Sequence, residues 1–169
     1  MKLRNQVLGL GLLGVVMTAL VGGAGLINAS RLSDAFDESI NVSLALSKSQ
    51  EADMMHDAIR GDVLLTLLAA QKSDAAGMAE AEKGLKEHAE NFTSNISAMQ
   101  ALPISPEARD HVAKAAPLVK AYVDSAANIQ GLARKDLASA EQEVPKFQKA
   151  FADLEVALEA QSEAVAKNV

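Results

Sequence analysis

The chain has 169 residues, a net charge of −6, no cysteine and no tryptophan, and only 3% of it is aromatic. That length suits one domain with a real core, and the absence of cysteine excludes disulfides, thiolate catalysis, zinc–sulfur sites and covalent c-type haem. An acidic chain without a basic stripe argues against nucleic acid as a partner, and an anionic ligand would have to be held by local arginines against an unfavourable overall field.

Val7 to Ile27 is a run of 21 uncharged residues. A helix of that length rises roughly 30 Å, the thickness of a bilayer core. Lys2 and Arg4 precede it, and positive flanks stay in the cytoplasm. The pattern predicts a cytoplasmic start over 1–6, a transmembrane helix over 7–28 and a remainder outside, which in a Gram-negative bacterium means the inner membrane and the periplasm. A cleaved signal peptide competes with this reading. The run is longer than a typical signal h-region, and Ile27 at position −3 makes a weak cleavage site. Gly9, Gly11, Gly14, Gly22, Gly23 and Gly25 would let a second membrane helix approach closely, and they are also ordinary composition for such helices.

Helix 1 is expected over about 30–71, continuous with the membrane helix because no Gly or Pro interrupts the junction. In Ser47–Gln71 the first half is amphipathic, with Met54, Met55 and Ala58 set against Glu51, Asp53 and Asp57. From Ile59 to Ala70 the apolar residues point in nearly every direction. A helix apolar all round is buried all round, so a second copy of the chain is expected to cover the side its own neighbours cannot reach. Leu64, Leu67 and Asp57 are the candidate dimer contacts. Lys72-Ser73-Asp74 reads as a tight turn, with Ser73 or Asp74 capping the next helix.

Helix 2 is expected over about 75–101. Met78, Leu85, Phe92 and Met99 fall at sevens, with Ala81, His88, Asn95 and Leu102 between them, which makes a heptad seam. Ser105 then caps helix 3, with Pro106 at its first position. Helix 3, about 106–133, repeats Ala108, Ala115, Tyr122 and Ile129, and Pro117 is expected to bend it. Asp136 caps helix 4, about 137–169. Its seams are Leu137, Val144, Phe151, Leu158, Val165 and Ala140, Phe147, Leu154, Gln161, Asn168; Pro145 predicts a second kink. The heptads are still running at Val169, which leads to the expectation of a continuation into a second transmembrane helix. The fold class is all-α: an antiparallel up-down-up-down four-helix bundle over 30–169, preceded by one transmembrane helix.

Three stretches resemble bacterial methyl-accepting chemotaxis proteins: MKLRNQVLGLGLLGVVMTALVGGAGLINASRL at the start, EADMMHDAIRGDVLLTLLAA in helix 1 and VPKFQKAFADLEVALEAQSEAVA in helix 4. The resemblance implies a periplasmic ligand-binding bundle, a homodimer and a small ligand near the membrane-distal half. It also implies that the signal leaves by a small displacement of helix 4, and that the chemotaxis kinase and adaptor act through cytoplasmic parts absent from these residues. The same bundle on a histidine kinase or a cyclic-dinucleotide enzyme is the alternative, with a membrane-anchored structural or haem-binding bundle as a third reading.

Arg60 lies twelve residues before the first tip turn and Tyr122 twelve before Arg134; His88 and Gln148 fall at comparable depth. These four are expected in one layer, roughly 18 Å below the tip. A guanidinium with neutral donors can hold a carboxylate in a bidentate fork. Family members often clamp a carboxylate with arginines on the first helix. Arg60 is the matching position, with Arg134 at the tip as a second candidate. The plainer readings are that Arg60 pairs with Asp57, worth about 0.2–0.5 kcal/mol, and that His88 and Tyr122 are core residues. Asp53-x-x-His56 sets a carboxylate and an imidazole three residues apart, as metal ligands can be, but the further carboxylates of a di-iron bundle are missing. His88 with Met54 or Met55 is a remote haem pair, since such methionines are more often core filler. The Asn41, Asn91 and Asn95 sequons lie on helices of a chain that looks bacterial and are discounted. No nucleophile–base pair or phosphate loop appears, so no enzyme activity, cofactor or metal is expected.

Overall fold

The computed structural model describes the backbone of residues 2–167 and the side chains of residue 11 and of residues 14–167. Asn168, Val169 and the side chains of Lys2 and Arg4, which carry several of the expectations above, lie outside the described residues. Among those described, the chain forms four helices and no strand: α1 (Lys2–Gln71), α2 (Ala75–Ala101), α3 (Pro106–Ala133) and α4 (Leu137–Ala166). It divides into two compact units, Met1–Ile40 and Asn41–Val169, and α1 contributes to both.

In Met1–Ile40 the described side chains are all exposed, including Leu20, Val21, Leu26, Phe36 and Ile40. The helix is long and apolar enough there to cross a membrane. Its one hydroxyl within the apolar run, Thr18 Oγ1, donates to the Gly14 carbonyl at 2.8 Å, so this polar group is satisfied inside the helix.

Asn41–Val169 is an antiparallel four-helix bundle, joined by tight connections that the sequence punctuates chemically. Asp74 accepts from the Ala76 and Gly77 amides and opens α2. Ser105 accepts from Ala108, with Pro106 at the first helical position of α3, and Asp136 accepts from Ala138 to open α4. Each cap satisfies amides that the first turn would leave without a partner. Ser73 turns the chain at φ 54°, in the left-handed region. The helices carry on through Pro117 and Pro145.

The seams meet in one core. Phe92 and Met99 of α2, Val112, Val119, Tyr122 and Ile129 of α3, and Phe147, Leu154, Leu158 and Val165 of α4 are buried together with Ile59 and Val63 of α1. On α1 the buried row is Val42, Ala45, Ser49, Ala52, His56, Ile59, Val63 and Thr66. Its alternating steps of three and four are those of a coiled-coil seam.

The distal half of α1 is covered by its own bundle on one side only. Leu64 is 57% exposed, and Leu65 and Leu68 are also open, whereas Leu67 packs against the core. Met54, assigned to an inward amphipathic face, is 62% exposed. Leu44, Ser47, Glu51, Met54, Ala58, Gly61, Leu65 and Leu68 follow their own three–four steps on the opposite side of the helix from the buried row. One helix thus carries two seams, and the bundle fills one of them.

Candidate functional site

At mid-height on the bundle the four helices place their rings in one cluster: His56 from α1, Phe92 from α2, Tyr122 from α3, and Phe147 and Phe151 from α4. His56 stacks on Phe151 with centroids 3.9 Å apart and planes 13° from parallel. It lies 5.0 Å from Tyr122 and 6.5 Å from Phe92. Tyr122 in turn stacks on Phe147 at 5.0 Å. Offset and tilted ring pairs at these distances are favourable. In a chain this poor in aromatics, the cluster gathers Tyr122 and all its phenylalanines except Phe36.

Two hydrogen bonds fix the cluster. The Tyr122 hydroxyl donates to the His56 carbonyl at 2.8 Å. His56 Nε2 lies 3.1 Å from the Phe151 carbonyl; a carbonyl only accepts, so Nε2 carries the hydrogen and donates. Burial holds the His56 pKa below the ordinary histidine value, opposed by the Phe151 carbonyl and by Asp57, Asp53 and Glu155. Burial likewise pushes the Tyr122 hydroxyl up, against the charge of Arg60 and with Asp57 and Asp62 adding to the rise. Both groups are therefore neutral at physiological pH.

Arg60 is exposed at the edge of this cluster, its guanidinium carbon 4.7 Å from the Phe151 ring centre. That is a cation–π distance. Arg60 makes no ion pair among the described residues, so the expected alternative, a pair with Asp57, is not formed. It is an exposed guanidinium set over a ring.

The expected layer of Arg60, His88, Tyr122 and Gln148 is only partly assembled. Arg60 and Tyr122 meet around Phe151. The Tyr122 hydroxyl is already committed to the His56 carbonyl. His88 points elsewhere: Nδ1 donates to Asp62 Oδ2 at 2.7 Å, tying α2 to α1. Asp62 is buried, which raises its pKa, while His88 opposes the rise. Gly84 makes room for this carboxylate, since a Cβ there would sit 2.5 Å from Asp62 Oδ1. Gln148 is exposed on α4 and shares none of these contacts.

Arg134 pairs with Glu82 and borders a groove of about 420 Å³ at the tip, lined mainly by small residues such as Ala69, Ala70 and Ala133. The Asp53–His56 pair does not form, because Asp53 is exposed and His56 buried; no cluster able to hold a metal ion occurs among the described residues. Of the remote haem ligands, His88 is engaged by Asp62, Met54 is exposed and Met55 packs half-buried against the core.

Further polar layers lie inside the bundle. Gln130 Nε2 donates to Thr66 Oγ1 at 3.3 Å towards the tip. Gln161 Nε2 faces Ser49 Oγ at 3.3 Å and Met99 Sδ at 3.4 Å on the other side of the ring cluster. No donor among the described residues reaches Gln161 Oε1. Residue-by-residue sequence reasoning missed His56 and Asp62 as organising groups. The signal for His56 was present in the spacing Ala52–His56–Ile59–Val63, which puts it on the inward seam and not beside Asp53.

A family model described as a four helix bundle sensory module for signal transduction matches residues 1–169. The chain belongs to this family, the sensory bundles of methyl-accepting chemoreceptors. No curated protein and no solved structure matches it. The chain is thus a sensory module for signal transduction.

Proposed function

We propose that this sensory module detects a small organic anion outside the inner membrane and passes the signal through α4 to a chemotaxis output, working as a homodimer. The observation that carries the reading is Arg60: an exposed guanidinium without an ion pair among the described residues, set over the Phe151 ring in an otherwise acidic chain. A carboxylate suits its planar fork. The exposed apolar row on α1 supports the second copy. Leu64, one turn beyond Arg60, is exposed beside that row. The apolar, exposed stretch of Met1–Ile40 supports membrane anchoring by α1.

Calorimetry with a panel of small carboxylates, on the full chain in nanodiscs, tests the site. Arg60→Ala should lose at least tenfold in affinity for whichever anion binds; equal affinity in both proteins would remove Arg60 from the site. The dimer has its own test. Leu64→Glu should shift the chain towards monomer in analytical ultracentrifugation with its melting temperature kept, whereas Leu67→Glu should lower the melting temperature, because Leu67 packs against the core. A Leu64→Glu protein that remains a dimer would refute the α1 interface.

A further inference from the structure

His56 is built into the bundle in a way that suits a moving proton better than a passive core residue. It is 2% exposed, stacked on Phe151 and flanked by Tyr122 and Phe92. Its Nε2–H is committed to the main-chain carbonyl of Phe151, and the Tyr122 hydroxyl holds its own carbonyl. The ring therefore joins α1 to α4 directly, and α3 secures it from the side. A second proton has to enter at Nδ1, giving an imidazolium inside a cage of rings.

The charged and titratable groups around it are few. Asp53 and Asp57 lie along α1 and Glu155 on α4; all are exposed and all favour the imidazolium. Arg60 of α1 lies over the Phe151 ring, and Tyr122 of α3 stays neutral. From α2 the neighbour is Phe92, which carries no charge. Burial outweighs the exposed carboxylates, which solvent screens, so the packed arrangement disfavours the proton. An arrangement in which α4 has shifted and His56 meets water takes the proton more readily. A ligand that binds one of two states better shifts the population towards it, and a proton is such a ligand.

We infer that His56 is a proton-operated latch between α1 and α4, closed while the ring is neutral and released by acid, so that the module answers external pH as well as its chemical ligand. The direction follows from linkage. The latched state is fully favoured above the ordinary histidine range and loses its advantage as pH falls below about 6.5.

The chain has no cysteine, so a Gln50→Cys, Glu159→Cys pair, both exposed and lining one α1–α4 groove, gives two unique spin-label sites. In the full chain in nanodiscs, the measured label-to-label distance distribution should change between pH 7.5 and pH 5. His56→Gln, which keeps an N–H donor but cannot titrate, should hold the pH 7.5 distribution at both values, and His88→Gln should still respond. A wild-type distance that ignores pH, or a response that survives in His56→Gln, overturns the latch. Should His56→Gln fail to fold, an NMR titration of the wild-type histidines decides the matter: a His56 midpoint at or above the ordinary histidine value overturns it, and a depressed midpoint accompanied by α4 shift changes supports it.

Discussion

Gly84 should respond to substitution with the opposite sign to an ordinary helical glycine. In the interior of a helix, Gly→Ala usually stabilises by about 1 kcal/mol, through backbone entropy and propensity. At Gly84 the added Cβ would stand 2.5 Å from Asp62 Oδ1, against ordinary contact from 3.4 Å, so the carboxylate has to retreat by about 0.9 Å. Asp62 has little freedom to do so: it is buried on α1 and bonded to His88 at 2.7 Å. A retreat of that size stretches or breaks the bond. Charge-assisted bonds contribute about 1.5–3 kcal/mol, and His88 is a third exposed, which puts the loss at the lower end. The net expectation for Gly84→Ala is a destabilisation of about 0.5–1 kcal/mol. The assay is urea unfolding of wild type, Gly84→Ala, Asp62→Ala and the double variant, with Gly131→Ala as a reference, because nothing lies within 4 Å of a Cβ there. Gly131→Ala should stabilise. Gly84→Ala should destabilise in the wild-type background and become stabilising once Asp62 is alanine, a change of sign that exposes the coupling. Stabilisation by Gly84→Ala in both backgrounds would refute the reasoning.

Three further outcomes follow from the same structure. Tyr122→Phe removes a fully buried hydroxyl that donates to the His56 carbonyl; it should cost about 1 kcal/mol, seen as a fall of about 3–5 °C in thermal melting followed by circular dichroism. Gln161→Met should raise stability by about 1 kcal/mol in urea unfolding, since it removes a buried carbonyl oxygen that no donor among the described residues reaches and gives up only two long contacts. Asp136 caps α4, and its carboxyl is held below the ordinary carboxylate range chiefly by the Ser139 hydroxyl; the advantage of wild type over Asp136→Ala should be present above the ordinary range and vanish as pH falls through the lowered value, checked by melting curves across acid pH.

The fold was legible because the heptads are long and locally consistent. Phe92 and Met99, Tyr122 and Ile129, and Phe147 and Leu154 fall on their seams without interruption, and Asp74, Ser105 and Asp136 mark the helix starts by capping chemistry that needs no tertiary context. The candidate site was legible only at Arg60 and Tyr122. Counting residues back from a turn gives depth along a helix, but it does not give rotation about the axis. That is why Gln148, at a suitable height, is exposed, and why His88, at the depth of Arg60, turns instead to a buried carboxylate on α1. Asp62 carried no sequence signal of its own, because its burial depends on a glycine of another helix. Residues of α1 were hardest to place, since a helix with two seams defeats the rule that one face is inside and the other outside.

The polar contacts inside the bundle also bear on which helix can move. α2 is tied to α1 by a charge-assisted bond at 2.7 Å between His88 and Asp62. The bonds that tie α3 to α1, from Tyr122 to His56 and from Gln130 to Thr66, are neutral. The bonds between α1 and α4 are likewise neutral, at 3.1 Å from His56 to the Phe151 carbonyl and 3.3 Å from Gln161 to Ser49. Neutral bonds are worth about half as much as charge-assisted ones, so a small displacement of α4 relative to α1 breaks less than any displacement of α2 would. One of these α1–α4 bonds belongs to an imidazole, and Phe151, whose carbonyl accepts it, also carries Arg60 over its ring. α4 is thus held to α1 by weaker polar bonds than α2 is, and the proposed proton at His56 and anion at Arg60 would both act on that attachment.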